Sequence, residues 1–208
     1  TILKIRKRLN HLKQIIMKLI GQNSISKYFS YLLYIISLVF IFHLFYFSLG
    51  YLICYINFSN EMKLFPETFY ITKKQYSEGL FNTFTINYPF TKTSFFSAVF
   101  TDRTFLGVFI GFTYFTLFFF SSFKIMKYLS SEKIFTNSIY KWLKIFGINN
   151  TIFLISFITL WYFRWKLVNF AELLFISTLL IFINISVLYF MAFIKKGYEL
   201  QSENDLTI

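Results

Sequence analysis

Residues 28–58 read YFSYLLYIISLVFIFHLFYFSLGYLICYINF and contain no formally charged side chain. A helix of about 20 predominantly apolar residues is long enough to cross the hydrocarbon core of a bilayer. This stretch exceeds that length, so we expect the helix to tilt or to extend beyond the hydrocarbon. The sequence therefore predicts a first transmembrane helix over residues 28–58.

Three further apolar stretches predict three more spans. Residues 105–123 carry no charge, and residues 146–194 contain two stretches separated only by Arg164, Trp165 and Lys166. So short a link predicts that the last two spans form a tight antiparallel helical hairpin. The predicted fold class is all-α, a polytopic integral membrane protein with about four transmembrane helices and an N-terminal amphipathic helix at the membrane interface.

The overall composition agrees with a membrane protein and excludes several soluble classes. Of the 208 residues, 56% are hydrophobic and only 14% are charged, whereas a soluble domain carries about 25% charged residues. The net charge of +12 would need a large water-facing surface to serve a soluble nucleic-acid binder, so we expect no nucleic-acid partner. Cys54 is the single cysteine, which excludes an internal disulfide and predicts a small packing residue.

The charged residues alternate along the chain in a way that predicts orientation. Residues 1–27 are rich in lysine and arginine and contain no acidic residue, whereas residues 59–104 are nearly balanced. Residues 124–145 are again basic, and the polar tail, residues 195–208, begins with two lysines before it turns acidic. Because basic residues favour the side from which helices insert, we expect both termini on that side. In a mitochondrion it is the matrix, and in a bacterial plasma membrane it is the cytoplasm.

The basic segments also predict interfacial elements. Leu9, Leu12, Ile16 and Leu19 recur at helical spacing within residues 1–27, with basic residues on the other arc. Such an amphipathic helix suits a surface of anionic lipid headgroups; contact with a partner subunit and a targeting signal are the alternatives. Residues 124–145 predict a second basic interfacial segment.

A few small or polar residues within the spans are candidates for joining helices. Gly107 and Gly111 form a GxxxG pair, which favours close helix crossing in membranes. Ser37, Asn184 and Ser186 can form hydrogen bonds between helices.

The long segment between the first two spans, residues 59–104, predicts a docking surface. It is too long for a simple turn and contains both prolines of the chain. Its aromatic residues give it material to pack on other membrane subunits. We expect an ordered docking segment, with contributions from Phe65, Phe69, Tyr70, Tyr76, Phe81 and Tyr88.

The search for chemistry finds no catalytic motif: the sequence has no Gly-rich phosphate loop, HExxH or GxSxG. We therefore expect no catalytic residue, no metal site and no cofactor in this chain. His43 lies at membrane depth and could ligate haem only if a partner chain supplied the second ligand. A neutral imidazole bonded to a neighbouring helix is the alternative, because unsatisfied polar groups are costly in lipid.

Glu172 is the acidic residue within the predicted spans. An intramembrane carboxylate is a functional candidate because burying its charge is costly. Glu172 lies near the start of the last span, where it could pair with Arg164 or with a base from a partner chain. A proton-relay role is the alternative hypothesis.

The choice of aromatic and small residues suggests the type of genome. The chain has 32 Phe and 15 Tyr but only 7 Gly and 2 Pro, a skew toward residues with AT-rich codons. In this respect and in its predicted topology, the chain resembles the hydrophobic inner-membrane proteins encoded on ciliate mitochondrial genomes. The resemblance implies a non-catalytic membrane subunit of an energy-transducing complex, most simply the respiratory chain. An ATP synthase subunit, a small transporter or channel, and a quinone- or haem-linked anchor using His43 are the alternatives.

Overall fold

The computed structural model describes residues 24–76, 79–131, 134–163 and 169–206. Most of them are helical, and three strands lie between the first two helices. The helices are α1 (Ile25–Ser59), α2 (Asp102–Leu129), α3 (Asn137–Tyr162) and α4 (Phe170–Leu206), and the strands are β1 (Phe69–Tyr76), β2 (Gly79–Asn87) and β3 (Ser94–Val99). Of the predicted amphipathic segment, residues 1–27, residues 1–23 lie outside the described residues, and residues 25–27 belong to α1. The link containing Arg164 also lies outside the described residues.

All four helices are long and apolar enough to span a membrane, which confirms the predicted polytopic helical membrane protein. Their outer faces are largely apolar: on α4, for example, Phe175, Phe182 and Tyr189 are all exposed. Such faces suit contact with lipid acyl chains.

The helices extend beyond the apolar stretches on which the spans were predicted. α2 continues through Lys124 to Leu129, and α3 begins at Asn137, where the Thr136 side chain caps the Ile139 N–H. Lys124 lies over the rings of Phe120, Phe123 and Trp142, with its Nζ 5.3–5.6 Å from their centroids. Residues 124–145 are therefore mainly the ends of two long helices, and their position at the membrane interface stays a prediction.

The segment between α1 and α2 departs from the all-α description. It forms an antiparallel three-stranded sheet in the order β1-β2-β3. The physical reason lies in β2, where Phe84 and Ile86 alternate with Thr83 and Thr85. Because alternate residues of a strand point to opposite faces, this pattern gives the sheet one apolar face and one hydroxyl-rich face.

The chain divides into two compact units. The sheet unit is Val39–Thr113, and the helical unit comprises the described residues of Thr1–Leu38 and Tyr114–Ile208. α1 and α2 each contribute one part to each unit.

Antiparallel packing of α3 against α4 dominates the helical unit. Gly147 faces Val187, and five buried side chains of the unit form a cluster: Ile125, Ile139, Leu143, Val187 and Ile194. Gly111 lies in the sheet unit, and no described side chain comes within 4 Å of a Cβ built on it. The close crossing predicted from the GxxxG pair is therefore not found at Gly111.

Candidate functional site

The sheet unit is built on a close approach between α1 and β2. Gly50 has no side chain, and a Cβ built there would lie 2.7 Å from Ile86 Cδ1. Ile86 is fully buried, so the strand packs directly on the helix backbone. The Tyr46 hydroxyl donates a hydrogen bond to the Asn87 carbonyl and ties the end of β2 to α1.

Aromatic rings fill the space between the sheet and the two helices. The Tyr51 ring stacks on Phe105 with centroids 4.4 Å apart, and Phe47 lies 5.8 Å from the same ring. The buried residues of this core are Phe47, Tyr51, Cys54, Phe69, Phe84 and Ile86. Cys54 is completely buried among them, as expected for a packing residue.

Two asparagines hold the irregular chain between α1 and β1. The Asn57 side chain donates to the Leu64 carbonyl at 3.0 Å and accepts from the Leu64 N–H at 2.9 Å. The Asn87 amide donates to the Glu67 carbonyl at 2.8 Å. The connection is therefore an ordered part of the unit, and it borders an open cleft of about 690 Å³ next to β1.

The end of the β1–β2 hairpin near Tyr76 and Gly79 is exposed, unlike the buried aromatic core at the other end. Lys73 and Lys74 are exposed, and Tyr76, Leu80 and Phe81 are exposed apolar or aromatic side chains. Of the aromatic residues expected to contact a partner, Phe65, Tyr76, Phe81 and Tyr88 are exposed, whereas Phe69 is buried in the unit's own core. The hairpin end is thus a mixed basic and apolar surface, and we call residues 72–76 and 79–82 the hairpin arm.

His43 lies on α1 within the sheet unit and is partly exposed. Its Nδ1 lies 2.6 Å from the Val39 carbonyl; because a carbonyl only accepts, Nδ1 carries the hydrogen. His43 therefore forms this hydrogen bond within its own helix. The predicted hydrogen bond to a neighbouring helix is not found among the described residues. His43 is the only histidine within the described ranges, so haem ligation with a partner-chain ligand stays a prediction.

Glu172 is placed at the start of α4 by a reciprocal pair of hydrogen bonds. The Glu172 N–H donates to Asn169 Oδ1 at 2.9 Å, and the Asn169 N–H donates to Glu172 Oε2 at 3.1 Å. This is a capping box, which satisfies N–H groups at the beginning of a helix. The Asn-x-x-Glu spacing is visible in the sequence and predicts this arrangement. The expected pairing with Arg164 falls outside the described residues, and the proton-relay role stays a prediction.

A buried polar cluster in the helical unit was not anticipated from the sequence. The Tyr114 hydroxyl donates to Asn150 Oδ1 at 2.9 Å, and the Asn149 amide donates to the Tyr114 carbonyl at 3.3 Å. These bonds join α2 to α3. Asn149 and Asn150 belong to an Asn-Asn-Thr run within an apolar stretch, and this run is the sequence feature that could have indicated a buried polar cluster.

The polar residues expected to join helices divide into two groups. Asn184 joins two helices, since the Thr151 hydroxyl on α3 donates to the Asn184 Oδ1 on α4 at 3.4 Å. Ser37 and Ser186 instead donate to carbonyls of their own helices.

The described residues contain no group of three His, Cys, Asp or Glu side chains that could hold a metal ion. Residues 21–208 match a protein family described as "Protein of unknown function (DUF2975)". No curated protein and no solved structure matches the chain.

Proposed function

We propose that this chain, which belongs to the DUF2975 family, is a non-catalytic membrane subunit that binds a protein partner through its hairpin arm. The observation that carries this proposal is the contrast within one sheet. One end is fixed in a buried aromatic core, and the other presents Tyr76, Leu80 and Phe81 to solvent.

The direction of β2 supports the role of the arm. Asn87 contacts Tyr46 and Ile86 contacts Gly50, whereas Phe84 packs on Tyr51, so β2 runs opposite to α1. Each strand residue advances about 3.3 Å and each helix residue about 1.5 Å. The Gly79 end of β2 therefore extends past the C-terminal end of α1, where a partner outside the bilayer could reach it.

The side chains of the arm indicate the chemistry of the partner. Leu80 is 67% exposed and suits an apolar pocket, because fully burying a leucine side chain is worth about 1.5–3 kcal/mol before the costs of association are subtracted. Lys73 and Lys74 suit acidic side chains at the edge of that pocket. The proposed partner surface is thus apolar at its centre with acidic residues around it.

The other candidate residues have local structural partners that fit a non-catalytic role. Glu172 caps a helix, Cys54 packs in a core, and Asn57 and Asn87 hold the connection into β1. These contacts account for the placement of the residues without a reaction.

Native electrophoresis of a mild detergent extract tests this proposal. We expect the natural chain to migrate within an assembly much larger than itself and Leu80→Asp to migrate as the free chain, because the aspartate would be buried at the interface. Leu200→Asp is the matched control, since Leu200 is also more than half exposed but lies at the far end of α4. Migration of the natural chain as a free monomer would refute the proposal, and so would retention of Leu80→Asp in the assembly.

We also propose, more narrowly, that the assembly is an energy-transducing complex of the mitochondrial inner membrane, most simply the respiratory chain, with an ATP synthase as the alternative. The AT-rich composition supports this placement. The location of the gene is the most direct test: mitochondrial DNA would support it, and a bacterial chromosome would place the chain in a plasma membrane. The second outcome would leave the role of the hairpin arm unchanged.

Transport of a small solute is the competing function. It would require a polar path through the spans, whereas Tyr114, Asn149 and Asn150 bond to one another and to backbone. This pattern favours a helix-joining role for these residues. Solute flux into vesicles containing the purified protein would overturn the non-catalytic subunit in favour of a transporter.

A further inference from the structure

The turn between β2 and β3, residues 88–93, exposes a bulky aromatic residue. Phe90 is fully exposed, at 105% of its reference area, and its backbone has a φ of +59°. A left-handed conformation is unfavourable for a bulky side chain. The turn thus presents an apolar ring to its surroundings from a backbone conformation that bulky residues seldom adopt.

The turn satisfies much of its own backbone hydrogen bonding. The Tyr88 N–H donates to the Thr93 carbonyl at 3.0 Å, and the Thr91 N–H donates to the Tyr88 carbonyl at 3.1 Å. The Thr93 N–H reaches the Thr91 hydroxyl at 3.3 Å, and Pro89 has no N–H. The N–H groups of Phe90 and Lys92 are left for water or for lipid headgroup oxygens, which suits the surface of a bilayer rather than its hydrocarbon core.

Contacts within the sheet unit place this turn beside the middle of α1. The Phe95 ring, just after the turn, lies 5.2 Å from the His43 ring and 5.7 Å from the Tyr46 ring. Tyr88 in turn lies 5.4 Å from Phe95. The turn is therefore the part of the sheet that reaches furthest back along α1 toward its N-terminal half.

The length of α1 then locates the membrane boundary. A sheet with open edges does not lie in hydrocarbon, so the part of α1 that packs on the sheet, from His43 onward, lies outside the hydrocarbon core. Residues 25–42 remain for the crossing, and at 1.5 Å per residue they span about 27 Å, close to the thickness of about 30 Å of that core. The boundary therefore falls close to His43 and Tyr46, at the level of the turn.

We propose that the turn 88–93 inserts into the surface of the bilayer that α1 crosses, with Phe90 among the upper acyl chains and Lys92 among the headgroups. Tyrosine favours the interfacial region, and Tyr88 belongs to the turn. The exposed Phe90 ring gains free energy by leaving water, and the neighbouring Lys92 can bind the phosphate of an anionic lipid. Insertion would supply the interaction that Phe90 lacks within the sheet unit. The occupant of this surface is lipid.

Depth-dependent fluorescence quenching tests the proposal on the full chain. Phe90→Cys would carry an environment-sensitive fluorophore, with the protein in vesicles of phosphatidylcholine and phosphatidylglycerol. Leu80→Cys is the control, measured in the purified chain without the proposed partner, because Leu80 is an exposed apolar residue at the opposite end of β2. The natural Cys54 is buried, so the unsubstituted protein gives the labelling background.

Two quenchers distinguish the possible outcomes. We expect nitroxide groups near the headgroup end of the acyl chains to quench the label at position 90 several-fold more than at position 80, and aqueous iodide to give the reverse order. Iodide quenching at position 90 as strong as at position 80 would overturn the proposal in favour of a water-exposed turn. Protection from both quenchers would overturn it in favour of a protein partner over Phe90.

Discussion

Gly50 shows how a single residue sets the contact between helix and sheet. A methyl group at this position would overlap the fully buried side chain of Ile86. We expect Gly50→Ala to lower the free energy of unfolding by about 1–3 kcal/mol, the range for overpacking a close-packed core. Thermal unfolding in detergent, followed by circular dichroism, measures the change.

Gly111→Ala is the control for this substitution. It is also a glycine within a helix, but a Cβ at Gly111 meets nothing within 4 Å among the described residues. We expect its stability to stay equal or to rise by up to about 1 kcal/mol through the higher helix propensity of alanine. Equal effects at Gly50 and Gly111 would contradict the proposed helix–sheet contact.

At the same scale, the sequence indicated which residues to examine, but it did not indicate which residues they contact. It marked His43 and Glu172 as the residues to examine, and it predicted a packing role for Cys54, which is buried in the core of the sheet unit. It could not pair Gly50 with Ile86 or Tyr114 with Asn150, because each pair is distant along the chain. The AT-rich bias adds to the difficulty, since phenylalanine and tyrosine occur throughout and do not distinguish the buried aromatic core of the sheet unit.

At the scale of an element, the beginning of α4 provides a test of what Glu172 does. In the capping box, the Glu172 side chain accepts from the Asn169 N–H, and a glutamine can accept the same bond. We expect Glu172→Gln to keep near-natural stability and Glu172→Ala to lose about 1 kcal/mol, the usual value of a cap. Thermal unfolding of the two variants in the same detergent gives the comparison.

A proton relay would give a different pattern, because it requires a titrating carboxyl. Glutamine and alanine would then both abolish proton-coupled activity of the assembly, whatever their effect on stability. If Glu172→Gln lost that activity while its melting temperature stayed unchanged, helix capping would not explain the role of Glu172.

The elements themselves differed in how well the sequence predicted them. The four helices lie where the uncharged apolar stretches indicated, since a span requires a long run of such residues. The sheet was predicted only as an ordered segment, although Phe84 and Ile86 alternate with threonines as strand residues do. Strands of 8, 9 and 6 residues give a shorter periodic signal than a membrane span does, and this sheet also depends on packing against α1 and α2.

At the scale of the whole molecule, the number of spans predicts on which side each extramembrane part lies. Met62 precedes α2 and Ser202 lies near the end of α4, so three spans separate them. An odd number of crossings places two positions on opposite sides. The basic residues of 1–27 and 124–145 favour the insertion side. We therefore expect Ser202 on that side, and Met62 and the sheet on the other.

Cysteine labelling in sealed membranes tests this topology. Met62→Cys and Ser202→Cys are both at exposed positions, and the buried Cys54 of the unsubstituted chain gives the background. With the side opposite to insertion facing the medium, we expect a membrane-impermeant maleimide to label Met62→Cys at once and Ser202→Cys only after permeabilisation. Inverted membranes should reverse the order. Labelling of both from one side would mean an even number of crossings between them, so that one of α2, α3 and α4 does not span the bilayer despite its length and apolar composition.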